Sequence, residues 1–401
     1  MDLHAQQKKT GRPTMAILTY VDEKRIFRGN QDNFIDLIRK GEEHGVLVYV
    51  MTTADFKLSG DTAVGYTYAA SSKKWKRQVF PLPHVIYNRI PYRKFELLPE
   101  VQQILQTCLR HRQIHFFNPS FFNKWTLFEW LSKSKETRSV IPATQRLSPG
   151  GEEIETLLGS YPFLYLKPIR GKAGKGIMKV SRVENSSKSR MFELSIQDKT
   201  KSHISRYPST RQLWTELGPL VGSQDYIVQQ GITLSLYKQR PFDLRVLVQK
   251  NGKGAWSVAG IGARLAGKMS ITTHVPRGGS IDDPAKLLAY SFGTTTAKKI
   301  LIRAKKTALT VARRIESASG HILGEMSMDL GVDSDGRIWF FEANSKPMKF
   351  DEPPIRQKSL ENLIQYCIHL SKLKRSAAAG DSAVSLQQLT GVRRPTPRRR
   401  R

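Results

Sequence analysis

The stretch MDLGVDSDGRIWFFEANSKP, residues 328–347, decides how the chain is read. DLGVD and RIWFFEAN are strand-like and flank Ser334-Asp335-Gly336. Asp-Gly is the preferred pair for a two-residue type I′ turn, so the segment predicts a β-hairpin. With Asp335 and Gly336 as the turn, Ser334 faces Arg337 and Asp329 falls opposite Glu342. Opposed side chains have Cβ atoms roughly 4.5–5.5 Å apart, where like charges are destabilising. A divalent cation between the carboxylates reverses that penalty. Asn344 shares the face of Glu342 by the period of two. Two carboxylates and an amide oxygen are hard donors that suit Mg²⁺, with Mn²⁺ as an alternative. The same residues also fit an ordinary solvated hairpin face, and the hairpin alone leaves both readings open.

Working outward, Lys167 ends the apolar strand PFLYLKP (162–168) and precedes glycines 171, 174 and 176 in GKAGKG (171–176). Such a loop lets backbone N–H groups approach phosphate oxygens while lysines supply charge. It is no Walker A motif, because the lysine precedes the glycines and no Lys-Ser/Thr follows them. A flexible basic loop is the plainer reading of this segment by itself. PFDLRVLVQK (241–250) alternates, with Phe242, Leu244, Val246 and Val248 on one face and Asp243 and Arg245 on the other. Arg264 ends the strand WSVAGIGARLA (256–266), and Arg277 precedes Gly278-Gly279. Arginines in a cleft can hold a carboxylate or offset the charge of a phosphoryl group, although each alone also reads as a solvated charge. No Ser–His–Asp or Cys–His arrangement is apparent.

The rest of the chain alternates strands and helices. MAILTYV (15–21), a helical stretch around 33–45 and GVLVYVM (45–51) predict a βαβ unit on a parallel sheet. HVIYNRI (84–90) reads as a further strand and 97–110 as a helix, so a first domain ends near residue 115. No GxGxxG follows the first strand, so nothing there signals a dinucleotide. A linking helix is expected around 121–134, and a strand at IMKV (177–180). The polar stretch 183–212 reads as a surface insertion, YIVQQGI (226–232) as a strand, and 358–371 as a closing helix. No internal repeat is visible. The fold class is α/β.

Composition bounds the function. The 401 residues suffice for two to three domains, and 39% hydrophobic residues predict a mostly globular chain. Sixty-five Lys and Arg against 34 Asp and Glu give a net charge of +31, which attracts polyanions without choosing among them. Residues 372–401 carry a net +8 and read as a disordered basic tail, and residues 1–13 read as a disordered N-terminus. Cys108 and Cys367 are the only cysteines, too few for a zinc cluster or a disulfide framework; both read as buried free thiols in a reducing compartment. No apolar run approaches a membrane span, so a soluble intracellular protein without membrane insertion is expected.

The order of these segments resembles the ATP-grasp superfamily, and within it the YheC/YheD family of endospore coat-associated proteins. NRIPYRKFE (88–96), FFNKWTLFEWL (121–131), IPATQRL (141–147), YLKPIRGKAGKGI (165–177), YIVQQGI, RPFDLRVLVQ (240–249) and the hairpin carry the resemblance, which spans about 15–371. Asp329 followed by Glu342-x-Asn344 is the most specific match. The resemblance implies an ATP-grasp fold with a Rossmann-like N-terminal domain over 14–115. An ATP-grasp domain would cover 116–371, in lobes of about 140–232 and 233–371. It implies that Lys124 and Lys167 contact nucleotide phosphates. Gly171, Lys172, Gly174 and Gly176 would close over them, and Gln229 and Gln230 would form the adenine hinge. Arg245 and the weaker candidate Arg264 would face the γ-phosphate or acyl phosphate, with Lys167 offsetting the same charge. Asp329, Glu342 and Asn344 would hold Mg²⁺. His274, in THVPRGG, departs from the Asn that related ligases often carry before Arg-Gly-Gly.

The expected activity is ATP- and Mg²⁺-dependent ligation of a carboxylate to an amine or thiol through an acyl phosphate. The implied partners are ATP and a carboxylate substrate, with an acidic peptide or polymer as one candidate. Docking to spore-coat proteins and a place in the mother cell and spore coat follow from the resemblance. Two alternatives remain: a nucleotide-binding coat component with little turnover, and a basic polyanion binder. Against the last, no helix-turn-helix, RNP or zinc-finger pattern appears, so specific nucleic-acid binding is not expected.

Overall fold

The computed structural model describes residues 11–58, 60–171, 174–184, 190–198, 201–268 and 270–373. Lys172 and most of the expected tail, from residue 374 on, lie outside the described residues, as do residues 1–10 of the expected N-terminal segment. Three six-stranded sheets carry the fold.

In the first sheet β1 (Thr14–Thr19) is fully buried and runs parallel to β4 (Leu47–Thr52) and β7 (Val85–Asn88), and β7 pairs in parallel with β8 (His115–Phe117). A ribbon of β2 (Val21–Asp22) and β3 (Ile26–Phe27) follows β1. The antiparallel hairpin β5 (Thr62–Ala69) and β6 (Lys74–Pro81) extends the far edge, giving the order β6-β5-β4-β1-β7-β8. β1 is apolar throughout because both faces are covered. Met15 and Ile17 pack beneath α1 (Gln31–Glu43), while Ala16 and Leu18 pack with Val101 and Leu105 of α2 (Pro99–Arg110).

The second sheet is antiparallel. Its strands β9 (Thr144–Arg146), β10 (Phe163–Pro168), β11 (Met178–Glu184), β12 (Arg190–Asp198), β13 (Lys201–Tyr207) and β14 (Tyr226–Gln230) are ordered β13-β12-β11-β10-β14-β9. The short helix α3 (Lys124–Ser132) precedes it, capped by the Asn123 side chain. One face packs on α4 (Glu152–Ser160) and α5 (Thr210–Val221). The expected insertion at 183–212 is corrected here: most of it is β12, β13 and the start of α5. β13 is an edge strand with much of its side-chain surface in solvent, so its sequence, KSHISRY, carries little apolar signal.

The third sheet orders β18 (Ser280–Asp282), β17 (Trp256–Leu265), β16 (Arg240–Lys250), β19 (Glu325–Val332) and β20 (Ile338–Asn344), with β15 (Leu236–Tyr237) paired to the start of β16. Phe242, Leu244 and Val246 pack against α6 (Pro284–Phe292) and the 26-residue α7 (Thr294–Ser319), two helices to which the sequence reading assigned nothing. α8 (Pro353–Ser371) ends the described chain and inserts Leu363, Ile364 and Cys367 beneath the first sheet. Both cysteines are buried and neither is in a disulfide; burial pushes the Cys367 thiol up to about 12.

The last hairpin differs from its expected form. Asp333 pairs with Arg337 across a three-residue loop, Ser334–Gly336, with Gly336 at φ +73°. The Asp333 carboxylate sets this wider turn by accepting from the Asp335 and Arg337 N–H groups at 3.0 and 2.8 Å. A bulge at Phe341 then shifts the register back, and Asp329 still pairs with Glu342.

Candidate functional site

A cavity of about 290 Å³ opens between the second and third sheets. Strand alternation builds its first wall. Leu164 and Leu166 of β10 enter the core, which leaves Phe163, Tyr165 and Lys167 facing the cavity. Tyr165 pairs with Gln229 of β14, so Lys167 Nζ donates to Gln229 Oε1 at 2.6 Å, and Gln229 Nε2 donates to Thr144 Oγ1 at 2.9 Å. Burial pushes the Lys167 ammonium down to about 8, against the pull of Glu342, Asp329 and Asp243. Gln230 also lines the cavity, and beyond it the chain crosses to the third sheet, where the Ser235 N–H donates to the Val332 carbonyl at 2.9 Å.

The second wall comes from three adjacent strands of the third sheet. Arg264 of β17 sits opposite Asp243 of β16 and binds it with both Nε and Nη2; Nε lies 2.9 Å from Oδ1. The same Nη2 lies 2.8 Å from Asp329 Oδ2 on β19. Burial raises the Asp329 carboxyl, but Arg264 and Arg245 outweigh it and hold it below the usual carboxylate range. Asp329 Oδ1 is buried with no hydrogen-bond partner among the described residues. Glu342, opposite Asp329, is 3.1 Å from Lys124 Nζ at the start of α3. The expected mutual repulsion of the two carboxylates is therefore relieved: each has its own cation, supplied by strands and a helix that hairpin geometry alone does not bring into view.

A strap after β17 crosses the cavity. The Tyr165 hydroxyl donates to the Ile271 carbonyl at 2.9 Å, Gln197 Oε1 accepts from the Ile271 N–H at 2.9 Å, and Thr273 Oγ1 donates to Asp243 Oδ2 at 2.6 Å. The strap is thereby tied to both walls. It carries His274, whose imidazole burial and Arg264 push down from its ordinary value. Gly174 meets it: a Cβ there would lie 3.2 Å from His274 Nδ1, and φ at Gly174 is +70°.

The donors fit a hard divalent cation. Asp329 offers an unpartnered buried oxygen, and Glu342 stands across the ladder from it. No group of three or more His, Cys, Asp or Glu capable of holding a metal occurs among the described residues. A cation here would therefore complete its shell from amide, phosphate or water oxygens, as Mg²⁺ does.

Lys167, Gln229, Gln230, Arg264, Asp329 and Glu342 thus converge on one cavity. Lys124 reaches it through Glu342. Arg245 lies beside Asp329 across the β16–β19 ladder and against the Phe350 ring at 5.1 Å, outside the cavity lining. Asn344 pairs with Ser327, two residues past Glu342, and it too lies outside the lining, as do Gly171 and Gly176. The sequence reading missed Lys179, whose ammonium stands over the Phe163 ring at 4.5 Å on the cavity wall, and Thr273. Strand alternation after the glycine loop could have found Lys179; nothing in the sequence marks Thr273.

A family model described as YheC/D like ATP-grasp matches residues 113–370. The endospore coat-associated protein YheD of Bacillus subtilis (strain 168) is 30% identical over 334 residues, 82% of this chain and 70% of that protein. YheC of the same organism is 22% identical over 320 residues, 79% of this chain and 85% of that one. Among solved structures, the ATP-grasp ligase PsnB complexed with minimal precursor superposes with a TM-score of 0.50 at 12% identity, covering 90% of this chain and 99% of that one. VanG D-Ala:D-Ser ligase from Enterococcus faecalis gives the same four values. At this identity the two structures establish the fold.

Proposed function

The chain belongs to the YheC/D-like ATP-grasp family, and we propose from that premise that it is an ATP- and Mg²⁺-dependent ligase joining a carboxylate to an amine or thiol. The observation that carries the reading is the pairing of a half-buried lysine, Lys167, with the buried oxygen of Asp329 that has no partner among the described residues, on facing walls of one cavity. A polyphosphate bearing a divalent cation would satisfy both at once: Lys167 and Lys179 would take its oxygens, and Asp329 and Glu342 would hold the cation. Among the described residues Lys167 meets only the neutral Gln229 amide by hydrogen bond, and Asp329 Oδ1 meets nothing.

In this reading Asp329 and Glu342 would hold the cation, and Asn344, two residues further along β20, would be the third oxygen donor. When bound it offsets phosphate charge as a Lewis acid. Lys167 holds the phosphates, and its ammonium regains its ordinary basicity beside them. Arg264 keeps Asp329 Oδ2 occupied, so that Oδ1 faces the ligand. The strap and the glycine loop meet at His274 and Gly174, where they exclude water from the phosphates. The substrate carboxylate attacks the terminal phosphorus and ADP leaves. The amine or thiol then attacks the acyl carbon, loses its proton to solvent and displaces phosphate. The domain boundaries expected from the sequence, and association with the spore coat, belong to the same proposal; the second is supported by the names of the two relatives.

Hydroxylamine tests the reaction without the natural nucleophile. It intercepts an acyl phosphate as a hydroxamate, so ADP release with a pool of acidic peptides and small carboxylates should be accompanied by hydroxamate of defined mass. ATP that binds but yields neither ADP nor hydroxamate across the pool would overturn ligation and favour a nucleotide-binding coat component.

A further inference from the structure

α7 lines none of the cavity and presents an outward face that the ligase reading does not use. Ile302 is the most exposed of the large apolar side chains among the described residues, at 66%. On a helix the neighbours of a residue are those three and four positions away. For Ile302 these are Lys298, Lys299, Lys305 and Lys306, all lysines and all exposed. One turn further on, Leu309 packs against the core, so the patch ends there.

No acidic side chain pairs with any of the four lysines among the described residues. The 26-residue helix contains a single acid, Glu316, and that carboxylate serves Lys250 and the Trp256 indole. Its first turn holds no acid, where acids would favour the helix dipole. The helix forgoes the Glu–Lys pairs that would stabilise it alone. Its lysines are therefore available to something outside the fold.

We propose that this face docks an acidic protein surface, with Ile302 entering an apolar pocket and the four lysines meeting a carboxylate rim. An apolar anchor within a polar ring is the arrangement found where a few side chains dominate binding. It favours a protein over a nucleic acid, because a phosphate backbone gains nothing from an isoleucine at the centre of the contact. The occupant is not a segment of this chain: residues 374–401 hold eight Lys/Arg and one Asp, and residues 1–10 hold one Asp and two Lys. Nor is it a second copy docking by the same face, which would set lysines against lysines.

Three fluorescent probes test the proposal by anisotropy against the full chain at physiological salt: poly-L-glutamate, a Glu/Tyr copolymer of equal charge, and a random-sequence DNA duplex. The copolymer should bind about tenfold tighter than poly-L-glutamate, the scale of one well-buried apolar anchor. Ile302→Ser should erase that preference while leaving DNA binding unchanged. Lys299→Glu with Lys306→Glu should weaken both polypeptides at least about tenfold. All three substituted positions are exposed, and unaltered melting temperatures check that the variants fold. Equal binding of the two polypeptides, a preference that survives Ile302→Ser, or DNA binding that falls with Ile302→Ser would each overturn the assignment.

Discussion

Replacing Lys167 with methionine isolates a charge that the folded chain holds at a cost. Burial lowers this ammonium from 10.5 to about 8. Below pH 8 it is charged in both the folded and unfolded states, and the cost is fully present. Between pH 8 and 10.5 the folded state sheds the proton while the unfolded chain keeps it, so stability rises with pH across that window. From pH 8 to 9.5 one such lysine adds about 1.5 kcal/mol, less to the extent that its side chain still meets solvent. Lys346, buried beside Glu96, is likewise pushed down to about 8. Wild type thus carries two such lysines and Lys167→Met carries one. Loss of the bond to Gln229 shifts the variant's stability by an amount that does not depend on pH, so the slope is diagnostic and the level is not. Cys367, the buried tyrosines and the other titrating groups are common to both proteins, so urea unfolding at intervals from pH 8 to 9.5 should give the variant a slope lower than wild type's by one lysine's share, about 1 kcal/mol per pH unit. A polyphosphate beside Lys167 restores its basicity, so ATP binding at pH 8.5 should take up about three-quarters of a proton from the buffer. Calorimetry in buffers of different ionisation heat reads that uptake, and the variant should show none. Equal slopes together with undiminished proton uptake would refute both the buried charge and its place against the phosphates.

Three further outcomes follow from the site. Glu342→Gln should leave the ligand-free melting temperature level or slightly lower, because Lys124 loses its partner, while the stabilisation by saturating Mg²⁺–ATP, about 2.7 kcal/mol at a hundredfold excess over Kd, should fall by half or more; an undiminished shift removes Glu342 from the metal site. Asp243→Asn should cost about 3 kcal/mol by leaving the buried Arg264 with one acid and Thr273 without its carboxylate, and should raise the KM for ATP through the loosened strap; a loss under about 1 kcal/mol on urea unfolding would show that the three-strand network does not hold the wall. A chain ending at residue 373 keeps a main-chain oxygen of Leu373, now in the terminal carboxylate, within reach of His115 and should melt as the full chain does, whereas a fall of several degrees would mean that 374–401 packs.

The parallel core was legible because β1 is buried on both faces and reads as a continuous apolar run. α7 was not, although its buried residues recur at helical spacing. Four of them, Ala297, Ala304, Ala308 and Ala312, are alanines, which carry little hydrophobic signal and let the helix approach the sheet closely. The carboxylates and Lys167 could be picked out because each sits in a segment with its own turn or strand pattern. The Asp243–Arg264–Asp329 network could not. It depends on the lateral register of three strands whose pairing no local pattern states, and it changes Arg264 from an expected phosphate contact into the residue that orients a carboxylate.

The hairpin gives the sharpest instance of what local rules can and cannot supply. A two-residue turn without a bulge and a three-residue turn with one bulge both place Asp329 opposite Glu342, so the pair was predicted correctly from a turn that does not form. The two hairpins differ in what they do with the residue before Glu342. In the simple register Phe341 would stand opposite Leu330, a fully buried core residue. The bulge instead pairs Phe340 with Leu330 and frees Phe341 to line the cavity, with Lys167 Nζ 5.4 Å from its ring centre. Gly331 permits this, since a Cβ there would lie 2.4 Å from the Phe341 ring. The Asp333 carboxylate that fixes the wider turn thus acts at a distance on the cavity: it selects the register that needs a bulge, and the bulge turns an aromatic ring from the core toward Lys167.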